Sequence, residues 1–265
     1  MEKIWEIVRK EWSEVFKNRF VLFAVAFMPL IFTIIPLAIL YSMGGSAEAT
    51  QLAESMDAVP KEYAAMCGDL TGQDCAQYFI LSQFLVLFLM MPIIIPVTIA
   101  SYSIVGEKTT RTLEPVLATP ITTIELLLGK ALAGVIPAMA VTWFSYGVFA
   151  IGTYILAASP LITKQLFNPL WLLAIFVVAP LLSIAGVSLA VMISSRVNDP
   201  RVAEQLSSLV VLPLVAIFMG QSFGLIQVNQ TVVIWFTLGL LVIDALLLFF
   251  ATQLFQRENI LTRWK

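Results

Sequence analysis

Histidine is absent from this 265-residue chain, and charge is scarce. Without imidazole there are no His-metal sites, Ser-His triads or His-ligated haem. Asp, Glu, Lys and Arg make up 12% of the residues, while 60% are hydrophobic. A soluble domain carries about 25% charged and about 45–50% apolar residues, so a water-soluble shell cannot be built. The formal net charge of −2 argues against nucleic-acid binding. With two cysteines and no histidine, a zinc site lacks ligands, and no metal site is expected. A glycine-rich phosphate loop is also missing. In Gly106-Glu107-Lys108-Thr109 the lysine follows Glu107, where the G-x-x-x-x-G-K-[ST] pattern requires glycine. The chain is therefore not expected to be an enzyme by itself, and it binds no cofactor of its own.

Long apolar runs dominate what is there. Six stretches exceed about 18 residues, the length that marks a membrane-spanning helix: 20–43, 78–104, 131–157, 170–193, 206–226 and 232–255. The runs are continuous, without the alternation of a lipid-facing β-barrel strand. The first is too long to be a cleavable signal peptide and is followed by five others. The sequence predicts an all-α polytopic membrane protein, with residues 1–19 as a separate helix and 20–265 as one six-span domain. No internal repeat is visible.

Lysine and arginine set the orientation. Lys3, Arg9, Lys10, Lys17, Arg19, Lys108, Arg111, Lys130, Arg196, Arg201, Arg257, Arg263 and Lys265 fall on one side, and only Lys61 and Lys164 on the other. By the positive-inside rule both termini are cytoplasmic. The outer loop 44–77 is acidic and holds both cysteines, Cys67 and Cys75. Eight residues apart, they form a disulfide in an oxidising compartment and stay as two thiols in a reducing one.

On a helical wheel, Met1, Ile4, Trp5, Val8, Trp12, Val15 and Phe16 gather on one side, opposite Glu2, Glu6, Arg9, Lys10, Ser13, Glu14 and Lys17. This pattern predicts an amphipathic interfacial helix with two tryptophans at headgroup level. Packing on a protein partner is the other reading.

The loop over 105–125 is rich in helix signals. Thr112 as N-cap would place Pro115 in a first helical turn, where no amide needs a partner. A short helix from Leu113 to Ala118 follows, ended by Pro120. Leu113, Val116 and Leu117 share one face, surrounded by Glu107, Lys108, Arg111 and Glu114. Thr122 and Glu125 then form a capping box that starts the third span. Between the fourth and fifth spans, Asp199 as N-cap and Pro200 at the first helical position start another helix.

The stretch from Glu107 through Lys130, with Thr112-Leu113-Glu114, Leu117-Ala118-Thr119-Pro120-Ile121 and Leu128-Gly129-Lys130, resembles the signature of the type-2 ABC exporter permeases. The 194–205 loop, the ending Leu254-Phe255-Gln256-Arg257-Glu258-Asn259-Ile260-Leu261 and the six-span layout are similar as well. The chain departs from the family at Thr109-Thr110-Arg111, where relatives often carry an acidic-basic-Gly run.

The resemblance implies the type V fold: six transmembrane helices, an N-terminal amphipathic interfacial helix and a short cytoplasmic coupling helix. It implies two permease copies, as a homodimer or with a similar chain, in the plasma or inner membrane, each seated on a cytosolic ABC ATPase that binds ATP and Mg. The ATPase contact would use Glu107, Lys108, Arg111, Leu113, Glu114, Val116 and Leu117. Arg196, Asp199 and Arg201 would make a secondary cytoplasmic contact. Spans two and five would line the path, which makes Gln83, Gln205, Ser208 and Gln221 its candidate polar groups. So sparse a polar lining suits lipid-like or amphiphilic cargo.

Asp244 lies mid-way along the last span, where insertion scales put the cost of a charge at about 2.5–3.5 kcal/mol. No lysine or arginine lies at its depth. It reads either as an ion, proton or substrate contact on the path, or as a protonated acid bonded to a neighbouring helix. The first option leaves open a stand-alone channel or secondary carrier with an intramembrane Asp site.

Overall fold

The structure, a computed structural model, describes residues 2–43, 72–110, 121–157, 160–226 and 228–254. Among these residues every regular element is a helix. In chain order they are α1 (Glu2–Val15), α2 (Arg19–Met43), α3 (Gly72–Phe88), α4 (Met91–Thr109), α5 (Thr123–Leu156), α6 (Pro160–Leu166) and α7 (Pro169–Leu173). A π-helical turn (Ala174–Val178), α8 (Ala179–Ser194), α9 (Pro200–Ser207), a 3₁₀ turn (Ser208–Val211), α10 (Leu212–Ser222) and α11 (Gln230–Leu254) complete the chain.

Six of the helical runs are long and apolar enough to cross a membrane. The second, third and fourth overshoot the apolar stretches in the sequence. The second runs from Asp74 to Thr109 and the third from Ile124 to Leu156, because polar turns continue each helix past its hydrocarbon-length core. Residues 72–77, expected in the outer loop, are already helical, with Asp74 in the first turn, where a carboxylate favours the helix dipole.

Prolines decide where the spans change character. α3 and α4 form one span broken at Leu89–Met90, just ahead of Pro92. Pro92 has no N–H to give the carbonyl one turn back. The π-helical turn sits immediately before Ala179-Pro180, and the 3₁₀ turn before Leu212-Pro213. Pro29, Pro36, Pro96 and Pro137 stay inside continuous helices.

The second span is the axis of the bundle. Of its most apolar window 78% is buried, compared with 17% for each of the fifth and sixth spans. α4 packs on α5 and α8. At Gly186 a Cβ would stand 3.2 Å from Val97 Cγ2 and 3.3 Å from the Ile93 carbonyl, so the absence of a side chain lets α8 approach α4. α11 packs on α8 through a narrow buried stripe of Val233, Leu240, Asp244 and Ala251.

Candidate functional site

Where the basic loops gather, three helix ends meet around a set of charges. α1 contributes Lys10 and Glu11, α4 contributes Ser103 and Glu107 one turn apart, and α5 contributes Lys130. Lys130 Nζ has three oxygen partners: Glu11 Oε1 at 2.6 Å, Glu107 Oε2 at 2.7 Å and Ser103 Oγ at 2.9 Å. Of its three donors, two are directed in hydrogen bonds to Glu11 and Ser103, while Glu107 Oε2 is held as an ion pair. Ser103 in turn donates to the other oxygen of Glu11. Lys10 Nζ donates to Glu107 Oε1 at 2.5 Å.

Glu11, Glu107 and Lys130 are buried, and Lys10 is partly exposed at the rim. Two carboxylates and two ammoniums balance. A group of this kind is costly to desolvate and costlier to break, because one missing partner leaves a buried charge uncompensated. Burial works to lower the Lys10 pKa, but the Glu107 hydrogen bond and the charges of Glu107, Glu11 and Glu14 outweigh it and hold the ammonium above 10.5.

The same three helices pack closely around this cluster. Ile7 and Val8 are buried and α1 lies along α5. At Gly129 a Cβ would come within 2.7 Å of Ile7 Cγ2, so the glycine is what lets α1 close on α5 next to Lys130. Trp12 donates its ring N–H to the Ala133 carbonyl at 2.9 Å. The amphipathic helix expected over residues 1–19 is present, and part of its packed face differs from the apolar side of the wheel. The buried face runs through Ile7, Val8, Glu11 and Val15 against the chain's own α5 and α4, while Trp5 is 52% exposed.

Two further ties hold α4, one at its last turn and one near its middle. Lys108 Nζ donates to the Ser195 and Val197 carbonyls at 3.2 and 3.3 Å, and Thr98 Oγ1 donates to Glu204 Oε1 of α9 at 2.5 Å. The loop after α8 carries the expected cap, with Asp199 Oδ1 accepting from the Arg201 amide at 2.8 Å. Arg196, Asp199 and Arg201 are exposed around it.

The capping box at the start of α5 is present: Thr122 N–H donates to Glu125 Oε2 at 2.8 Å, and Glu125 N–H to Thr122 Oγ1 at 3.2 Å. Between this cap and the end of α4 lie Arg111, Leu113, Glu114, Val116 and Leu117, which fall outside the described residues. Glu107 and Lys108, grouped with them from the sequence, are turned instead to partners within the chain. They fix the base of the loop and do not form its outer face.

The polar residues assigned to the path separate into three places. Gln83 and Gln221 meet at the far end of the bundle, where Gln221 Nε2 donates to Ser82 Oγ at 3.0 Å and Ser222 Oγ donates to Gln83 Oε1 at 3.2 Å. The remaining amide atoms, Gln83 Nε2 and Gln221 Oε1, are buried without a hydrogen-bond partner among the described residues. Gln205 is exposed, and its carbonyl accepts from the Ser208 hydroxyl at 2.8 Å. Asp244 stands apart on α11, buried, and neither carboxylate oxygen has a hydrogen-bond partner among the described residues. Cys75, in the first turn of α3, is disulfide-bonded, and Cys67 lies outside the described residues.

Glu11 and Ser103 were not singled out from the sequence. The available signal was positional: Glu11 borders the apolar stripe of α1 between Val8 and Val15, and Lys130 opens an apolar span, each an unusual place for a charge.

No curated protein matches the chain. A family model described as ABC-2 family transporter protein matches residues 5–257.

Proposed function

The chain belongs to the ABC-2 transporter family, and from that premise we propose that it is an exporter permease driven by a separate ATPase subunit. It is a multi-pass membrane protein, and in this reading it carries no nucleotide site. ATP and Mg bind to the partner. The observation that carries the proposal is the charge cluster at the base of the 111–120 loop. A loop gripped from outside transmits force only if its two ends are fixed to the elements that must move. Here the end of α4 is tied to α1 through Lys10, to α5 through Lys130 and to the 195–197 turn through Lys108. Displacement of the loop would therefore carry α1, α4 and α5 together, and with them the second and third spans.

In this mechanism Leu113, Val116 and Leu117 enter a groove of the ATPase, with Arg111 and Glu114 beside them. Arg196, Asp199 and Arg201 form the second contact. Closing of the ATPase around ATP favours one arrangement of the spans because the loops fit it better in that state, as any ligand-driven shift requires. A second permease copy packs against this one within the bilayer. Both termini lie in the cytoplasm of a plasma- or inner-membrane protein.

Co-purification tests the reading. The membrane protein should retain an ATPase whose activity depends on it, and replacing Leu113 and Leu117 together by aspartate should uncouple that activity. Unchanged ATPase docking and turnover in the double variant would remove the coupling assignment. Asp244 sustains a second reading, a carrier or channel, because its buried carboxylate has no hydrogen-bond partner among the described residues. Net flux through purified protein alone, abolished in Asp244→Asn, would favour it.

A further inference from the structure

We propose that an apolar cavity near the end of the bundle opposite the basic loops is a binding site for one acyl chain of a bilayer phospholipid. The site goes beyond the coupling role and does not depend on it. The cavity is an open cleft with about 410 Å³ of empty space, open solvent at its mouth included, between the second, fourth, fifth and sixth spans. Leu89, Trp171, Ala174 and Val178 form its buried wall, and Val232 and Phe236 its half-exposed rim.

Its origin lies in the helix irregularities. Leu89 sits in the break between α3 and α4, and Ala174 and Val178 bound the π-helical turn. Two regular helices would pack flush here. Two interrupted ones, displaced by Pro92 and Pro180, leave a gap, and π turns of this type often mark functional positions.

Chemistry and depth select the occupant. The lining is hydrocarbon apart from the Trp171 ring, and it presents no polar surface to the cavity. Nothing in the cavity can therefore satisfy a polar group, and a buried polar group without a partner is disfavoured. At a rise of 1.5 Å per residue, Val232 and Phe236 lie about 3 and 9 Å from the start of α11, Trp171 and Val178 about 3 and 13 Å from Pro169, and Leu214 about 12 Å from the end of α10.

These three helix ends place the cavity about 3–13 Å into the bundle, the depth of the upper part of a lipid chain when the ends stand at the membrane surface. The mouth opens between the two least buried spans, beside Trp235 and Leu238, which are 70% and 49% exposed. Trp235 suits the interfacial belt, and what surrounds that face in a bilayer is hydrocarbon. A chain entering from the side restores the dispersion contacts that the lining of an empty gap lacks.

Tryptophan quenching by brominated lipid tests the site. The full-length chain is prepared with Trp171 as its only tryptophan, and separately with Trp235 as its only one, the others replaced by phenylalanine. Both are reconstituted in vesicles of plain phosphatidylcholine or of phosphatidylcholine brominated along the chain. Exposed Trp235 should be quenched strongly. Trp171, only 3% exposed, should be quenched to a comparable degree, and most by bromines on the upper chain carbons. Filling the cavity with Ala174→Phe, or plugging its mouth from the exposed side with Val232→Phe, should abolish the Trp171 quenching and leave Trp235 quenching in place. Equal Trp171 emission in plain and brominated vesicles, with Trp235 quenched, would overturn the proposal, as would Trp171 quenching that survives both substitutions.

Discussion

The two ends of the second span are fastened in opposite ways. At the end beside the basic loops, the inner end of the proposed orientation, α4 is held by a balanced set of buried charges reaching α1 and α5. At its far end, α3 is held to α10 by neutral hydrogen bonds between Gln83, Ser82, Gln221 and Ser222. A buried charge group tolerates no partial opening, because any separation strands an ion in low dielectric. Neutral amide and hydroxyl pairs exchange partners at a net cost of about 1 kcal/mol each. The inner end is thus built to move as a block, and the far end to part and re-form. That division is what the proposed drive from one side requires.

The comparison is broken most severely by Lys130→Ala, which leaves Glu11 and Glu107 buried together. About 3–5 kcal/mol of stability should be lost, read as a lower unfolding temperature and as faster proteolysis after α1. Replacing Glu11, Glu107 and Lys130 together by apolar residues should recover most of that loss, which separates charge stranding from lost packing. Next comes Gly129→Val, whose branched side chain would drive Ile7 away. Overpacking of this kind costs about 1–3 kcal/mol, and Ile7→Ala should partly rescue it. At the far end, Gln221→Leu should cost only about 1 kcal/mol while leaving α1 docking unchanged by the same proteolysis assay. A loss as large as that of Lys130→Ala would erase the contrast between the ends.

The smallest effect is expected from pH. The Lys10 ammonium is held above its ordinary 10.5 by Glu107, so its contribution is complete below 10.5 and disappears as pH rises through the higher folded value. Docking of α1 should be flat across neutral pH and weaken only in strong alkali, with Lys10→Met flattening that alkaline limb.

Much of this architecture was readable from the chain. Continuous apolar runs locate six spans because hydrocarbon thickness fixes their length, and the Thr122–Glu125 and Asp199–Pro200 starts follow from local chemistry alone. The charge cluster was not readable. Glu11 and Lys130 are 119 residues apart, and no periodicity links an acid on one helix to a base on another. Glu107 was grouped from the sequence with the loop residues that follow it, whereas its place on α4 turns it inward. The prolines identified candidate bends, but which of them would break a helix depended on packing: Pro92, Pro180 and Pro213 adjoin irregular turns, and Pro96 and Pro137 do not.

The hydrogen bond from the Trp12 indole to the Ala133 carbonyl makes that ring a natural gauge. It stacks edge-on with Trp5 at 5.8 Å on one side and grips the third span on the other. Its fluorescence lifetime should therefore register, without an attached dye, any movement of α1 against the third span that the proposed coupling produces.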